Sequence, residues 1–149
     1  FNTSGLAQPV QTELSEEQLT LTLPRSLIIS VKKRNQVVEL SGIKYRLVTG
    51  IRKIQILSQE ELNWLKKATQ DFPAAGLIFF KNQTIQPVVF VKATQSLVWE
   101  SACGSGSIAF FALTGCLKIK QPSNAYLQII PQDDKLQVIV NSKDILYEK

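Results

Sequence analysis

Histidine and methionine are absent from this 149-residue chain, and cysteine occurs only twice. Without histidine the chain cannot build a Ser-His-Asp or Cys-His catalytic pair of its own, so a cysteine hydrolase or transferase would need a histidine from another chain. The same absence removes every histidine-containing metal site, and two cysteines alone are too few for zinc. They are also too few for a disulfide framework. Asp133-Asp134 has no third carboxylate near it in sequence and reads as a hairpin turn, so no metal is expected. No apolar run approaches the roughly 20 residues of a membrane span, and the amino terminus lacks a basic-then-apolar leader pattern. A cytoplasmic chain without membrane association is expected. Because Met is missing even from position 1, the chain is expected to be a piece of a longer product or a trimmed one. The net charge of +5 is modest, and no aromatic platform is interleaved with basic residues, so no nucleic-acid partner is expected. Lys32-Lys33-Arg34 is the one short basic cluster; it reads as a solvated hairpin tip more readily than as a contact for an acidic partner.

What is present suits one globular domain: 44% hydrophobic and 19% charged residues. Residues 1–17 are polar and mixed, with Gly5 and Pro9, and read as a linker or irregular lead-in; residues 18–149 read as the domain. Strict alternation at Leu19-Thr20-Leu21-Thr22-Leu23 predicts a half-buried strand closed by Pro24. Leu27–Val31 and Val37–Leu40 read as two more strands. Ile43–Leu57 reads as a pair of strands, Tyr45–Val48 and Ile51–Leu57, joined at Thr49-Gly50, with at least one of Arg52 and Lys53 as an outward strand position. Ser58 with Glu61 forms a capping box for an outer amphipathic helix over 58–68 that presents Leu62 and Leu65, and Pro73 stops it. Strands follow at Ala75–Phe80, Val88–Val91 and Leu97–Glu100. After a central apolar stretch, Cys116–Lys120, Tyr126–Ile130 and Leu136–Val140 alternate as strands, and Ile145–Tyr147 reads as a last short one.

The central stretch is Ser101-Ala102-Cys103-Gly104-Ser105-Gly106-Ser107, running into Ile108-Ala109-Phe110-Phe111-Ala112-Leu113. Ser105 and Ser107 are natural N-cap residues, and Thr114-Gly115 is a carboxyl-terminal cap. A helix apolar on every side must be buried. A strongly curved, mixed or antiparallel sheet wrapped around this central helix explains it where a flat sheet does not, giving an α+β fold. The first turn of such a helix leaves N–H groups unpaired and carries positive dipole character. A carboxylate can dock there, and the same field lowers a thiol pKa. A Cys103 thiolate beside a carboxylate-binding turn could remove a proton from the α-carbon of a bound acid. The plainer reading is a small buried residue at a glycine-rich turn. Cys116, far along the chain from the motif glycines, reads as packing.

Glu100-Ser101-Ala102-Cys103-Gly104-Ser105-Gly106-Ser107 resembles the second active-site motif of the diaminopimelate epimerase family of amino-acid racemases and epimerases. The Trp99-Glu100 dipeptide before it is closer in pattern to the family's histidine racemases of metallophore synthesis. The resemblance extends over roughly residues 20 to 149 and places this chain as the second, carboxyl-terminal domain. It implies a half in which β-strands wrap a central helix, and chemistry without a cofactor, in which one cysteine from each domain acts on opposite faces of the α-carbon. Cys103 would be the catalytic cysteine here. The N–H groups of Gly104, Ser105 and Gly106 would hold the α-carboxylate of a small amino acid, and Glu100 would face its α-ammonium. The missing first domain would bring the second thiol, so this half alone would be inactive; a homodimer is one arrangement open to the whole. The family's Asn and His at the turn occupied by Thr49-Gly50-Ile51-Arg52-Lys53 are absent, and Leu77 stands near another of its Asn positions. These departures argue against diaminopimelate, and the Trp99-Glu100 pattern implies a histidine-like substrate. A non-catalytic binding or scaffold domain that keeps the fold is the alternative.

Overall fold

The computed structural model describes residues 11–14 and 18–141. Gln11–Leu14 forms strand β1, inside the segment read as a lead-in, and pairs antiparallel with β2 (Gln18–Pro24). The alternation of β2 buries Leu21 and Leu23. A single 3-10 turn, Arg25–Leu27, leads into β3 (Ile28–Lys32), so Leu27 lies just before the strand expected to contain it. Strands β4 (Val37–Leu40) and β5 (Ile43–Thr49) complete an antiparallel meander with β3.

The second strand expected within Ile43–Leu57 does not form. Gly50, at φ 105°, turns the chain out of β5, and residues 51–57 run as an irregular loop. Ile51, Ile54 and Ile56 are exposed, the last two at 68%. They mark no buried face here, because no neighbouring strand pairs with this segment. Arg52 is consequently not on a strand: its backbone N–H and C=O are both held by the Gln86 side chain, each at 2.8 Å.

Helix α1 (Gln59–Ala68) has the expected capping box, with Ser58 as N-cap and Glu61 reaching back to it. It crosses between β5 and β6 (Ala74–Lys81), which pair in parallel. Strand β7 (Thr84–Val91) returns antiparallel, and β8 (Ser96–Trp99) pairs on its other side. The near-continuous apolar run of β6 follows from burial of both its faces. Ala74 and Ile78 face an inner core, while Ala75, Leu77 and Phe79 face an outer one under Leu65 and Ala68 of α1.

Helix α2 (Gly104–Thr114) is buried from Gly104 through Phe111 and ends on Gly115 at φ 76°, as expected. Strands β9 (Lys118–Lys120), β10 (Tyr126–Pro131) and β11 (Lys135–Asn141) then carry the sheet back to β2. Cys116, expected in a strand, precedes β9 and is only partly buried. The Ile145–Tyr147 strand lies outside the described residues. The sheet order is β1-β2-β11-β10-β9-β7-β6-β5-β4-β3, with β8 branching from β7. Helix α2 packs against β3, β4, β5 and β6 on one arm of the sheet and β10 on the other. One helix can touch strands so far apart in the order only if the sheet curves around it. Among the described residues no helix is long and apolar enough to cross a membrane.

Candidate functional site

Four elements converge at the amino end of α2. Strand β8 delivers Trp99 and then Glu100, whose N–H is fixed to the Pro87 carbonyl at 3.0 Å. The N-cap is Cys103, not Ser105 or Ser107 as expected. Its extended backbone (φ −139°, ψ 111°) lets the sulfur turn back over the first turn and accept the Gly106 N–H at 3.2 Å. Ser107 is taken up otherwise: its Oγ donates to the Cys103 carbonyl at 2.7 Å. Gly106 is glycine because of this cap, not because of a left-handed turn. A Cβ there would stand 3.1 Å from Cys103 Sγ and 3.4 Å from Pro87.

The turn after β9 locks the motif from a second side. Gln121, 1% exposed, accepts the Cys103 N–H at 2.9 Å and donates to Ser107 Oγ at 2.9 Å. From the inner face of β5 comes Tyr45, fully buried, whose hydroxyl lies 2.6 Å from Ser105 Oγ and 3.5 Å from Cys103 Sγ. Gly76 stands opposite Tyr45 in the β5–β6 register, and a Cβ at Gly76 would fall 2.4 Å from the Tyr45 ring. The sheet leaves out one side chain to seat that phenol. Among the described residues, every buried side-chain nitrogen and oxygen has a partner.

Cys103, Gly104, Ser105 and Gly106 lie together at the amino end of α2, and the Glu100 charge is near enough to act on both Cys103 and Tyr45. The electrostatics differ from expectation. Burial pushes the Cys103 thiol above its ordinary value, and Glu100 adds to this; hydrogen bonds from Tyr45, Ser105 and the Gly106 N–H oppose it without winning. Desolvation of a fully buried sulfur outweighs the helix field, so Cys103 rests as a thiol, not a thiolate. Burial likewise raises Tyr45 well above the usual phenol range, followed by the coulombic effect of Cys103.

Sequence reasoning missed Tyr45 and Gln121. Gln121 lies 18 residues and Tyr45 58 residues from Cys103, so no local spacing links them. The available signal was a large polar aromatic on an inward strand position between Ile43 and Leu47. Arg52 and Glu61, read separately, form one unit: both guanidinium nitrogens meet the two carboxylate oxygens at 2.5 Å. The guanidinium lies 4.3 Å above the Phe79 ring, and Phe79 stacks on Trp99 at 5.9 Å. The 51–57 loop is thus tied to the residue that precedes Glu100. Among the described residues no three His, Cys, Asp or Glu side chains gather as metal ligands would.

Comparison with known proteins adds to this geometry. Residues 1–145 match the family model described as Histidine racemase CntK N-terminal domain. A curated histidine racemase from Fusobacterium nucleatum subsp. nucleatum is 31% identical over 68% of this chain and 42% of its own length. A second, from another strain, is 28% identical over the same shares. The chain spans less than half the length of these relatives.

Proposed function

The chain belongs to the histidine racemase family, and on that premise we propose that it is one half of a cofactor-independent amino-acid racemase acting on histidine or a close analogue. The observation that carries the proposal is Cys103: a thiol capping the central buried helix, in a cluster of donors, with a carboxylate close by. A thiolate on the missing half removes the α-hydrogen from one face of the amino acid, leaving the electron pair on the α-carbon and its carboxylate. Cys103 then gives its own proton to the opposite face and becomes a thiolate. In the reverse direction Cys103 is the base, and no net oxidation occurs in either. The raised Cys103 pKa suits the resting donor state.

Glu100 supplies the counter-charge for the α-ammonium, and an arriving ammonium offsets the Glu100 charge that adds to burial in keeping Cys103 protonated. Helix α2 directs its amino end, at Gly104 and Ser105, toward the α-carboxylate. The Gly106 N–H, assigned to the same task from sequence, is engaged by the sulfur, so it serves the thiol. Exposed Ile51, Ile54 and Ile56, with Leu97 and Val98 of β8, supply apolar surface for the other half to cover. The whole racemase is cytoplasmic in this reading.

We place this half second in the polypeptide, on the Trp99-Glu100 and Cys103-Gly104-Ser105-Gly106 pattern, although the matching family model is described as an N-terminal domain. A cysteine-bearing domain encoded upstream of Phe1 supports that order; one encoded only downstream of Lys149 overturns it. A second reading, a non-catalytic domain that keeps the fold, is favoured by the complete burial of Cys103. Chiral chromatography of L-histidine incubated with the full-length protein, with EDTA and without pyridoxal phosphate, tests the proposal. D-histidine formation supports the racemase. Unchanged L-histidine with bound ligand supports the binding domain.

A further inference from the structure

The Tyr45 hydroxyl is spent on no step of the proton transfer just described, yet the fold gives up a side chain at Gly76 to seat its ring against Cys103 and Ser105. We propose that Tyr45 is a positioning residue that stabilises the Cys103 thiolate formed when the thiol gives up its proton; the inference rests on the racemase reading for its consequence, not for its geometry. Proton counting fixes the arrangement. The phenol has one hydrogen and two neighbours, so when it donates to the sulfur, Ser105 Oγ donates to the phenol oxygen across the 2.6 Å contact. When the sulfur regains its proton, the chain of donors can reverse, because a hydroxyl both gives and accepts.

The thiolate then accepts from the Tyr45 hydroxyl at 3.5 Å and the Gly106 N–H at 3.2 Å, while the Ser105 hydrogen is given to the phenol and supports it from behind. In a fully buried place these donors replace the water a thiolate would otherwise need. The charged or titratable groups acting on the sulfur are Tyr45 from β5 and Glu100 from the segment before α2. Gln121, on the turn after β9, is neutral and holds the Cys103 backbone. Tyr45 is therefore the group on the β-sheet side that favours the ionised sulfur, against Glu100, which disfavours it.

The test is Tyr45→Phe, which keeps the ring in its Gly76 seat and removes only the hydroxyl. In a Cys116→Ala background, ¹³Cβ-labelled cysteine leaves Cys103 as the one reporter, and its chemical shift is followed against pH in the chain alone. The ionisation midpoint is expected to rise by about one pH unit, the order of a hydrogen bond to a charged group. An unchanged or lowered midpoint overturns the proposal. In the full-length protein, kcat/KM is expected to fall about tenfold equally in both directions, as the equilibrium between enantiomers requires, with its basic limb, where Cys103 loses the proton it must give, moved up by the same amount. A fall with no movement of that limb means that Tyr45 only packs, and overturns the proposal. A raised midpoint in the chain, with no racemisation by the full-length parent, keeps the Tyr45 role and removes the racemase reading instead. Far-ultraviolet dichroism and the thermal midpoint of Tyr45→Phe confirm that both variants compared are folded.

Discussion

At the scale of single residues, exposure rather than the helix field ranks the two thiols. Cys103 is buried and protonated beyond its ordinary range, while Cys116 is partly exposed outside any strand. The motif alone suggests the opposite order of reactivity, because a helix amino terminus is legible in sequence and desolvation is not. Iodoacetamide at pH 8 should label Cys116 several-fold faster than Cys103 in the folded chain and both alike in denaturant, as peptide mass spectrometry will show. Equal labelling in the folded chain would mean that Cys103 is open. Burial also sets a pH dependence. The folded Cys103 and Tyr45 hold their protons above the values of 9.0 and 10.0 at which the unfolded chain releases them. Stability from these groups is therefore complete below pH 9 and declines as pH rises through the folded values. A urea midpoint flat from pH 7 to 10.5 would contradict this. Gly76→Ala forces a Cβ against the Tyr45 ring and the Val88 carbonyl, 2.4 and 2.9 Å away. It is expected to destabilise by about 1–3 kcal/mol, read from the same midpoint.

At the scale of elements, local chemistry was readable wherever it was self-contained. The Ser58–Glu61 capping box and the Gly115 cap both stand where the residues place them. The 51–57 strand failed because isoleucines make a strand only when something pairs with them, and here the loop is held by Gln86 and by Arg52 on Glu61. Helix α1 depends on that pair. Burial works against the Glu61 charge, but hydrogen bonds from Arg52 and from the Ser58 N–H hold the carboxyl below the usual 4.5. A depressed carboxylate contributes stability above that value and loses it as pH falls through the folded one. Glu61→Gln should cost about 1–2 kcal/mol at pH 7. The loss should shrink as pH falls through the lowered folded value, where the parent is protonated too; a loss constant with pH would show that the charge is irrelevant.

At the scale of the whole molecule, the all-round apolar α2 was enough to foresee a sheet curved about it, since no flat sheet covers every side of a helix. The branch that puts β8 beside β7, and the pairing that sets Tyr45 opposite Gly76, were not foreseeable, because they depend on strands distant in the chain. The site likewise became complete only when β5, the segment after β8, α2 and the turn after β9 met. What α2 and its cap are proposed to do needs a second thiol on the other face of the substrate, and that requirement makes one experiment decisive. The full-length protein and its Cys103→Ser variant are incubated with L-histidine in D₂O, and the α-hydrogen is followed by proton NMR alongside chiral chromatography. Serine keeps the shape but holds its proton far above neutrality, so proton transfer at that face should nearly stop. The parent is expected to place deuterium at the α-carbon while forming D-histidine, and the variant to form none, with at most slow exchange from the enantiomer served by the other thiol. Racemisation by Cys103→Ser at the parent's rate would contradict the account.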